Sequence, residues 1–164
     1  MNQIWLSGSS GTGKSTTGRI LSKKLGLELI DGVSRGSKFD MHTLEHQQYM
    51  SKTIFGLRGK NNFVSCRNPF DVLAYSVAFN INNMAMDSLH SFLFAKSNPT
   101  LIYFPYGYLN IEDDGFRPTS PVLNRQVDSE IKKQLDYYKV EYYEVKKESA
   151  NSRANSIIKY LEEL

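Results

Sequence analysis

A glycine-rich tract near the beginning of the chain carries the residue types that phosphate binding requires. Within this tract, Gly8, Gly13, Lys14 and Ser15 satisfy the pattern G-x-x-x-x-G-K-[ST]. Glycines of this kind allow backbone torsions that turn successive N–H groups inward. The lysine can then reach the β- and γ-phosphates of a nucleotide, and the serine hydroxyl can ligate Mg²⁺. The pattern therefore predicts a P-loop that holds a nucleoside triphosphate.

The tract lies between a predicted strand and a predicted helix, which is the context of a P-loop rather than of a simple glycine-rich turn. We expect Lys14 to act in catalysis as well as in binding, Ser15 to be the Mg²⁺ ligand, and Thr16 to be an extra donor near the α-phosphate. The predicted cofactors are ATP and Mg²⁺. The predicted ATP contacts are Gly8, Gly11, Thr12, Gly13, Lys14, Ser15 and Thr16.

A polar loop at approximately residues 106–125 has the composition of a lid. It places Arg117 in an acidic, glycine-containing turn and Arg125 at the beginning of an amphipathic helix. Arginine suits this task because its planar fork donates to two phosphoryl oxygens and keeps its charge. We therefore predict that both arginines are catalytic and act on the transferring phosphoryl group. The alternative is that Arg117 pairs with Asp113 or Asp114 on a solvated loop.

A further group of polar residues follows the third predicted strand, in the segment VSCRNPFDVLAY. Loops at the carboxyl ends of parallel strands form the crevice where ligands bind. Arg67 is therefore predicted to contact the acceptor and to act in catalysis, with Asp71 and Tyr75 on one helical face beside it. For these two residues an alternative stays open, in which Asp71 is only a charge that stabilises the helix N-terminus and Tyr75 is only an aromatic residue of the core. The predicted acceptor-binding residues are Asp31, Arg35, Arg67, Asp71, Tyr75 and Tyr106.

The elements that must position these residues alternate between strand and helix along the chain. Helical spacing follows each strand, and the helix after the third strand is predicted to be long, from Leu73 through Ile81 to Met84. Alternation of this kind predicts an α/β fold with a parallel sheet covered by helices on both faces. The predicted strands are Gln3–Ser7, Leu27–Ile30, Phe63–Ser65, Thr100–Phe104 and Val140–Val145.

Length and composition fit a single domain, residues 1–164. The chain has 164 residues, of which 40% are hydrophobic and 23% charged, which is enough for one core. A net charge of +3 slightly favours phosphate-bearing partners but lacks the dense basic stripe of a dedicated nucleic-acid binder. The single cysteine, Cys66, excludes an internal disulfide. The apolar stretch 72–95 is interrupted by polar residues, so we expect a cytoplasmic protein without a membrane span.

Other nucleotide-binding classes require sequence features that this chain lacks. The sequence contains no N-K-x-D tetrad for reading guanine and no insertion for coupling to a partner, which argues against a GTPase switch or a motor ATPase. A small kinase needs only a phosphate cradle, an acceptor pocket and a basic lid that excludes water. The sequence therefore favours phosphoryl transfer.

Three segments together resemble the P-loop kinases, the group that includes nucleotide and nucleoside kinases and the ribosylnicotinamide kinase-type ATPase domain. They are the P-loop, the segment CRNPFDVLAY, and the segment FPYGYLNIEDDGFRP followed by Arg125. Similar proteins are common among bacteriophage-encoded nucleotide kinases. The resemblance implies a three-layer fold with a five-stranded parallel sheet, ATP at the P-loop, an acceptor beyond strands two and three, and a mobile arginine lid.

The chain departs from these kinases at one position. They often carry an Asp-Arg pair after strand three, where this chain has Cys66 and Arg67. The missing acid would hold a magnesium-bound water or accept the proton of the attacking hydroxyl, which a neutral thiol does poorly. We expect Asp31, at the end of strand two, to replace it as a catalytic residue, with Asp71 as the second candidate. Cys66 is interpreted as a small buried filler rather than a reactive thiol.

Three hypotheses of function follow. The first is an ATP-dependent kinase that moves the γ-phosphoryl group to a nucleoside, a nucleotide or a similar small metabolite, and a homodimer is compatible with it. The second is a kinase for the hydroxyl of a modified base, a 5-hydroxymethyl pyrimidine, in bacteriophage DNA, acting in the host cytoplasm. The third is a nucleotide-binding regulatory module without transfer activity, suggested by Cys66. The sequence favours the first.

Overall fold

Five parallel strands form the centre of the fold. The computed structural model describes residues 3–81, 99–109 and 118–164. The strands are β1 (Gln3–Ser7), β2 (Glu28–Ile30), β3 (Phe63–Ser65), β4 (Thr100–Tyr103) and β5 (Tyr143–Glu144). They pair in the spatial order β2-β3-β1-β4-β5, every pair parallel. The predicted five-stranded parallel sheet is therefore confirmed.

Helices pack on this sheet from two sides. They are α1 (Lys14–Leu25), α2 (Leu44–Gly56), α3 (Pro69–Ala78), α4 (Pro121–Tyr137) and α5 (Ala150–Glu162), with short 3₁₀ turns at Val33–Gly36 and Leu57–Gly59. Prolines at the first turns of α3 and α4, together with capping by Asn68 and Ser120, fix where those helices begin. Within the described ranges no helix has both the length and the hydropathy needed to cross a membrane.

Alternate residues of the strands divide the core into two layers. Trp5 and Leu101 belong to a buried cluster that also contains residues of α2, α3 and α4. Ile4 and Ile102 belong to a second cluster, with residues of α1 and α5. Successive side chains of a strand point to opposite faces of the sheet, so this division requires that both faces be covered. The predicted three-layer α/β architecture is confirmed.

The central strand determines where the candidate site lies. β1 is buried along its whole length and pairs with β3 on one side and β4 on the other. Because all strands are parallel, their carboxyl ends lie along one edge of the sheet. The P-loop follows β1 there, Asp31 follows β2, and Cys66 and Arg67 follow β3.

The helix that follows β3 is shorter than the sequence predicts. α3 ends at Ala78, and Asn80 adopts a left-handed backbone with a φ of 55°. The Ile81 amide donates to the Ser76 carbonyl at 2.8 Å, the long bond of a Schellman motif. The predicted continuation through Ile81 is therefore wrong, because Asn80 ends the helix. Met84 lies outside the described residues.

The edge strand β5 is also shorter than predicted, Tyr143–Glu144 rather than residues 140–145. It has one neighbouring strand, and its two residues pair with Ile102 and Tyr103 of β4. The boundaries of β2 and β4 each differ from the prediction by one residue. None of these differences moves a predicted site residue, because the site follows β1, β2 and β3.

Candidate active site

The P-loop connects β1 to α1 and depends on two glycines with positive φ angles. Gly8 has a φ of 143° and Gly13 a φ of 88°. A Cβ atom on Gly8 would lie 2.5 Å from the Phe104 carbonyl oxygen, so a larger residue does not fit there. Gly13 is the N-cap of α1 and brings no capping side chain. The first N–H groups of α1 are therefore left to an anion.

Lys14 binds the backbone of the P-loop. Its Nζ donates to the carbonyl oxygens of Gly8 and Ser9, each at 2.5 Å, and to Thr12 Oγ1 at 3.1 Å. Burial, and after it the neighbouring Arg67 cation, lowers the pKa of Lys14 from 10.5 to about 7. A bound triphosphate would favour the protonated amine and raise this pKa again.

Ser15 and Asp31 join the P-loop to the end of β2. The Ser15 hydroxyl donates to Asp31 Oδ1 at 2.9 Å. The Gly32 amide donates to the same oxygen at 2.8 Å, and Arg19 Nη2 lies 3.5 Å from Asp31 Oδ2. Hydroxyl and carboxylate oxygens are the ligands that Mg²⁺ prefers. The donor set therefore fits a Mg²⁺ ion bound directly or through water.

Asp71 supports the beginning of the P-loop from within the core. The Asp71 side chain is completely buried, with 0% exposure. Its Oδ1 accepts hydrogen bonds from the Ser7 hydroxyl at 2.8 Å and from the Gly8 amide at 3.0 Å. Burial raises the pKa of Asp71. A helix N-terminal charge is therefore an incomplete description of this residue, because its carboxylate also holds the P-loop.

Arg67 lies between Asp71 and Tyr75. Its Nη1 is 3.8 Å from Asp71 Oδ2, and its guanidinium carbon is 5.1 Å from the centroid of the Tyr75 ring. In the described part of the chain, neither Arg67 Nη1 nor Asp71 Oδ2 has a hydrogen-bond partner. The Tyr75 hydroxyl accepts a hydrogen bond from the Ser10 amide at 3.0 Å. Tyr75 is therefore more than a core aromatic, since it also contacts the P-loop.

Two adjoining cavities open at this edge of the sheet. The larger, which we call the P-loop cleft, has a volume of about 190 Å³ and follows the P-loop from Ser10 to Thr16. The smaller, which we call the side recess, has a volume of about 30 Å³ and lies between α2 and α3. Arg67 lines both cavities. The side recess has apolar walls with a few polar groups: Met41, Met50, Val72, Phe79, His46, Gln47, Arg67, Asp71 and Tyr75.

Most of the residues predicted to bind the acceptor come together here. Asp31, Arg35 and Arg67 line the P-loop cleft. Asp71 and Tyr75 join Arg67 in the side recess. The sequence placed these residues at the ends of β2 and β3, and the parallel sheet brings those ends side by side.

Two residues predicted from the polar loop, Tyr106 and Arg125, lie apart from these cavities. Tyr106 is half-buried, and its amide donates to Asp128 Oδ1 at 3.1 Å. Arg125 is exposed on α4. Neither residue lines the P-loop cleft or the side recess. Arg117 lies outside the described residues, and its predicted contact with phosphate stays a prediction.

Cys66 is buried, with 3% exposure, where the apolar core meets the wall of the P-loop cleft. It belongs to the same cluster as Leu6 and Val64, and its Sγ would lie 2.9 Å from a Cβ atom placed on Gly18. Burial raises the pKa of the Cys66 thiol to about 12. The Cys66 thiol is therefore neutral and tightly packed, as in a small core residue, and it does not accept a proton from a substrate.

Sequence reasoning missed two side chains that contact the P-loop from far along the chain. Asn124, completely buried in α4, accepts a hydrogen bond from the Ser10 amide at 3.2 Å through Oδ1. Arg153 of α5 donates from Nη1 to the Thr12 carbonyl at 3.1 Å. These partners are 114 and 141 residues apart in sequence, so no local pattern could connect them.

Comparisons with known proteins agree with this geometry. No protein-family model and no curated relative matches this chain. Deoxyadenosine kinase from M. mycoides, solved with dCMP and dCDP, has a TM-score of 0.70 at 14% identity, over 98% of this chain and 98% of its own. YorR from Bacillus subtilis, in complex with phosphorylated GDP, has a TM-score of 0.70 at 17% identity, over 98% and 96%. Thymidylate kinase from Candida albicans has a TM-score of 0.69 at 16% identity, over 98% and 91%. The fold of this chain is therefore the fold of the P-loop kinases.

Proposed function

We propose that this protein is an ATP-dependent kinase that transfers the γ-phosphoryl group to a nucleoside, a nucleotide or a similar small molecule. One observation carries the proposal: Arg67 lines both the P-loop cleft and the side recess. A single partly buried cation can therefore contact the phosphates of one ligand and the reacting group of another. This juxtaposition is what phosphoryl transfer between two bound molecules requires.

The P-loop residues supply the nucleotide end of this reaction. Lys14 and the amides from Gly11 to Thr16 would hold the phosphates, since the Gly8 and Ser10 amides donate to side chains of the protein. Ser15 and Asp31 would hold Mg²⁺, which neutralises charge on the phosphates when it is bound. We assign Asp31 as the group that orients the acceptor hydroxyl and takes its proton, because it lines the P-loop cleft beside Ser15.

The polar loop would complete the site. In this proposal, residues 106–125 act as a lid within one domain of residues 1–164, and Arg117 and Arg125 contact the transferring phosphoryl group in the closed state. Tyr106 begins this loop, and the Asp128 carboxylate holds its amide at 3.1 Å.

The side recess, with a volume of about 30 Å³, has room for a small uncharged part of an acceptor that lies mainly in the P-loop cleft. Met41, Met50, Val72 and Phe79 give it apolar walls, which suit the edge of a ring. Its cation, Arg67, faces the Asp71 carboxylate at 3.8 Å, so the positive charge is partly neutralised. A monophosphate acceptor would need more cationic charge than this pair offers. Within the proposal, a nucleoside hydroxyl is the preferred acceptor.

Residues 34–41 form one wall of the side recess, and His46 and Gln47 hold this wall in place. His46 Nδ1 donates to the Phe39 carbonyl at 3.2 Å, and Gln47 Nε2 donates to the Met41 carbonyl at 2.8 Å. These contacts hold a loop against α2 next to the recess. A wall fixed in this way suits a free small molecule better than a base that enters as part of a DNA duplex.

Incubation of the protein with γ-labelled ATP and three acceptor panels tests the proposal. The panels are nucleosides, nucleoside monophosphates, and duplex DNA that contains 5-hydroxymethyl pyrimidines. We expect label in a nucleoside product with the wild-type chain and none with Lys14→Ala. Label in the DNA panel alone would replace the small-molecule acceptor by a modified base. ATP binding without transfer to any panel would instead support a regulatory module.

A further inference from the structure

Arg153 is a buried cation that contacts the P-loop but does not line the P-loop cleft. It belongs to α5, and its side chain is 4% exposed. Buried arginines are costly unless they are paired with a carboxylate. Among the residues that the structure describes, no carboxylate forms an ion pair with Arg153, and its Nε has no hydrogen-bond partner. Burial lowers the pKa of Arg153, so the cation is held at a cost.

The contacts of Arg153 converge on one peptide group of the P-loop. Nη1 donates to the Thr12 carbonyl at 3.1 Å. Nη2 and Nη1 would lie 2.7 Å and 2.8 Å from a Cβ atom on Gly13, so the guanidinium rests directly against that glycine. The Phe104 ring, with its centroid 5.7 Å from the guanidinium carbon, supports the cation from another side.

This hydrogen bond fixes the direction of the neighbouring amide. A peptide group is planar and trans, so its carbonyl and its N–H point in opposite directions. Arg153 holds the Thr12 carbonyl, and Gly13 lines the P-loop cleft, so we expect the N–H of this peptide to point away from Arg153 and toward the cleft. A charge-assisted hydrogen bond to the carbonyl also polarises the peptide and strengthens the N–H as a donor.

We propose that Arg153 is a positioning residue for nucleotide binding: it holds the Thr12–Gly13 peptide so that the Gly13 N–H points into the phosphate cradle. It acts through the peptide and does not touch the phosphates. The charge of Arg153 adds to those of Lys14 and Arg67 around the P-loop. Among the described residues, Asp71 is the one buried carboxylate that counters these cations. This inference rests on the proposed binding of a triphosphate and does not depend on the acceptor.

Three substitutions separate the parts of this contact. Arg153→Met keeps an unbranched apolar stem but removes the guanidinium, with its donors and its charge. Arg153→Gln keeps a neutral donor, and Arg153→Lys keeps the charge without the fork. Asn155→Ala is the matched control, because Asn155 lies on the same helix and accepts a surface hydrogen bond from Lys24 at 2.6 Å.

Calorimetric titration with ATP and with inorganic tripolyphosphate, which lacks a base and ribose, measures the effect without turnover. We expect Arg153→Met to weaken both ligands by about tenfold, the usual scale for one charge-assisted hydrogen bond. Arg153→Lys and Arg153→Gln should recover part of this loss, and Asn155→Ala should bind as the wild type does. If Arg153→Met does not fold, the Lys and Gln variants carry the comparison with the control.

The Gly13 amide gives a readout that a purely structural role would not change. In ¹H–¹⁵N spectra of the wild type, the Gly13 resonance should shift strongly when tripolyphosphate is added, and in the Arg153 variants this shift should shrink more than that of the Ser15 amide. Variants that lose thermal stability but keep wild-type affinity and the Gly13 shift would overturn the inference. If the wild type binds neither ATP nor tripolyphosphate, the proposed function and this inference both fail.

Discussion

The Ser15 hydroxyl donates to Asp31 Oδ1 at 2.9 Å, so the second residue of α1 is joined directly to the residue that follows β2. This bond brings the predicted Mg²⁺ ligand and the predicted catalytic carboxylate into contact. Asp71, the other candidate acid, lies beneath the loop and is occupied by Ser7 and Gly8. The two carboxylates therefore have different expected roles, and substitution can tell them apart.

Asp31→Asn should lower kcat by about a hundredfold or more while ATP still binds, because the amide neither accepts a proton nor holds Mg²⁺ well. Steady-state kinetics with saturating ATP measures kcat, and titration with ATP measures binding. Asp40→Asn is the control, since Asp40 is exposed and pairs with His42 at 2.9 Å. A fully active Asp31→Asn protein alongside an inactive Asp71→Asn protein would move the base to α3.

Asp71→Asn should act chiefly on stability, lowering the free energy of unfolding by about 1–3 kcal/mol. In one orientation the new side-chain amide keeps its oxygen toward Ser7 and Gly8 and turns its NH₂ donor toward the Arg67 cation. In the flipped orientation the NH₂ group faces the two donors, Ser7 and Gly8. Urea unfolding measures the loss, and Ser7→Ala, which removes one of the two donors, should cost less. A loss of kcat larger than that of Asp31→Asn, without a loss of stability, would contradict this division of roles.

Lys14 should make the stability of the ligand-free protein depend on pH. Its pKa is about 7 in the folded state, against an ordinary value of 10.5. Below pH 7, Lys14 is therefore protonated in both the folded and the unfolded chain, and the folded chain bears the full cost of burying the charged amine. Above pH 7 the unfolded chain binds more protons than the folded one, so stability rises with pH, by at most about 1.4 kcal/mol per unit. The rise ends near the ordinary value.

The measurement is the difference in unfolding free energy between the wild type and Lys14→Met over this range of pH. The difference should be constant at acidic pH and should then move in favour of the wild type. Lys23→Met, an exposed substitution in α1, is the control. A difference that stays constant from pH 7 upward would show that Lys14 keeps its proton in the folded state.

Arg117→Ala and Arg125→Ala should lower kcat more than they lower ATP affinity, because lid arginines act on charge that develops in the transition state. Comparison of kcat with the dissociation constant for ATP tests this. Arg58→Ala is a suitable control, since Arg58 lies before β3 and over the Phe55 ring, 3.9 Å from its centroid. Equal losses of binding and turnover would place both arginines in ground-state binding instead.

Cys66→Ala should leave kcat within about twofold of the wild type while lowering stability by about 1 kcal/mol through lost packing. The thiol is neutral because burial raises its pKa to about 12, so it has no charge to contribute to transfer. Steady-state kinetics checks the expected kcat, and thermal unfolding of the same preparation checks the expected loss of stability. Loss of transfer with retained stability would contradict this prediction and make Cys66 part of the chemistry.

Local patterns were sufficient to predict the P-loop and the parallel sheet. The phosphate-binding residues are consecutive, and the buried strand before them and the helix after them follow from hydrophobic spacing alone. Asp31 and Arg67 could be placed because both directly follow parallel strands. The end of α3 was missed because helical spacing continues to Ile81, whereas the left-handed Asn80 stops the helix.

The supports of the P-loop could not be predicted, since they depend on packing between distant elements. Asp71 and Tyr75 were placed near the site, but their hydrogen bonds to Ser7, Gly8 and Ser10 follow from the way α3 packs under β1. Asn124 and Arg153 carry no local motif at all. Such residues are recognisable only once the chain is folded, because a buried polar group must find its partner in three dimensions.

Asn124 and Asp128 stand one helical turn apart on α4, and together they fix both ends of the polar loop. Asp128 Oδ1 holds the Tyr106 amide at 3.1 Å, and Asn124 Nδ2 holds the Pro118 carbonyl at 2.8 Å. Because α4 also contacts the P-loop, through Asn124 Oδ1 and the Ser10 amide at 3.2 Å, Tyr106 and Pro118 keep fixed positions relative to the phosphate cradle.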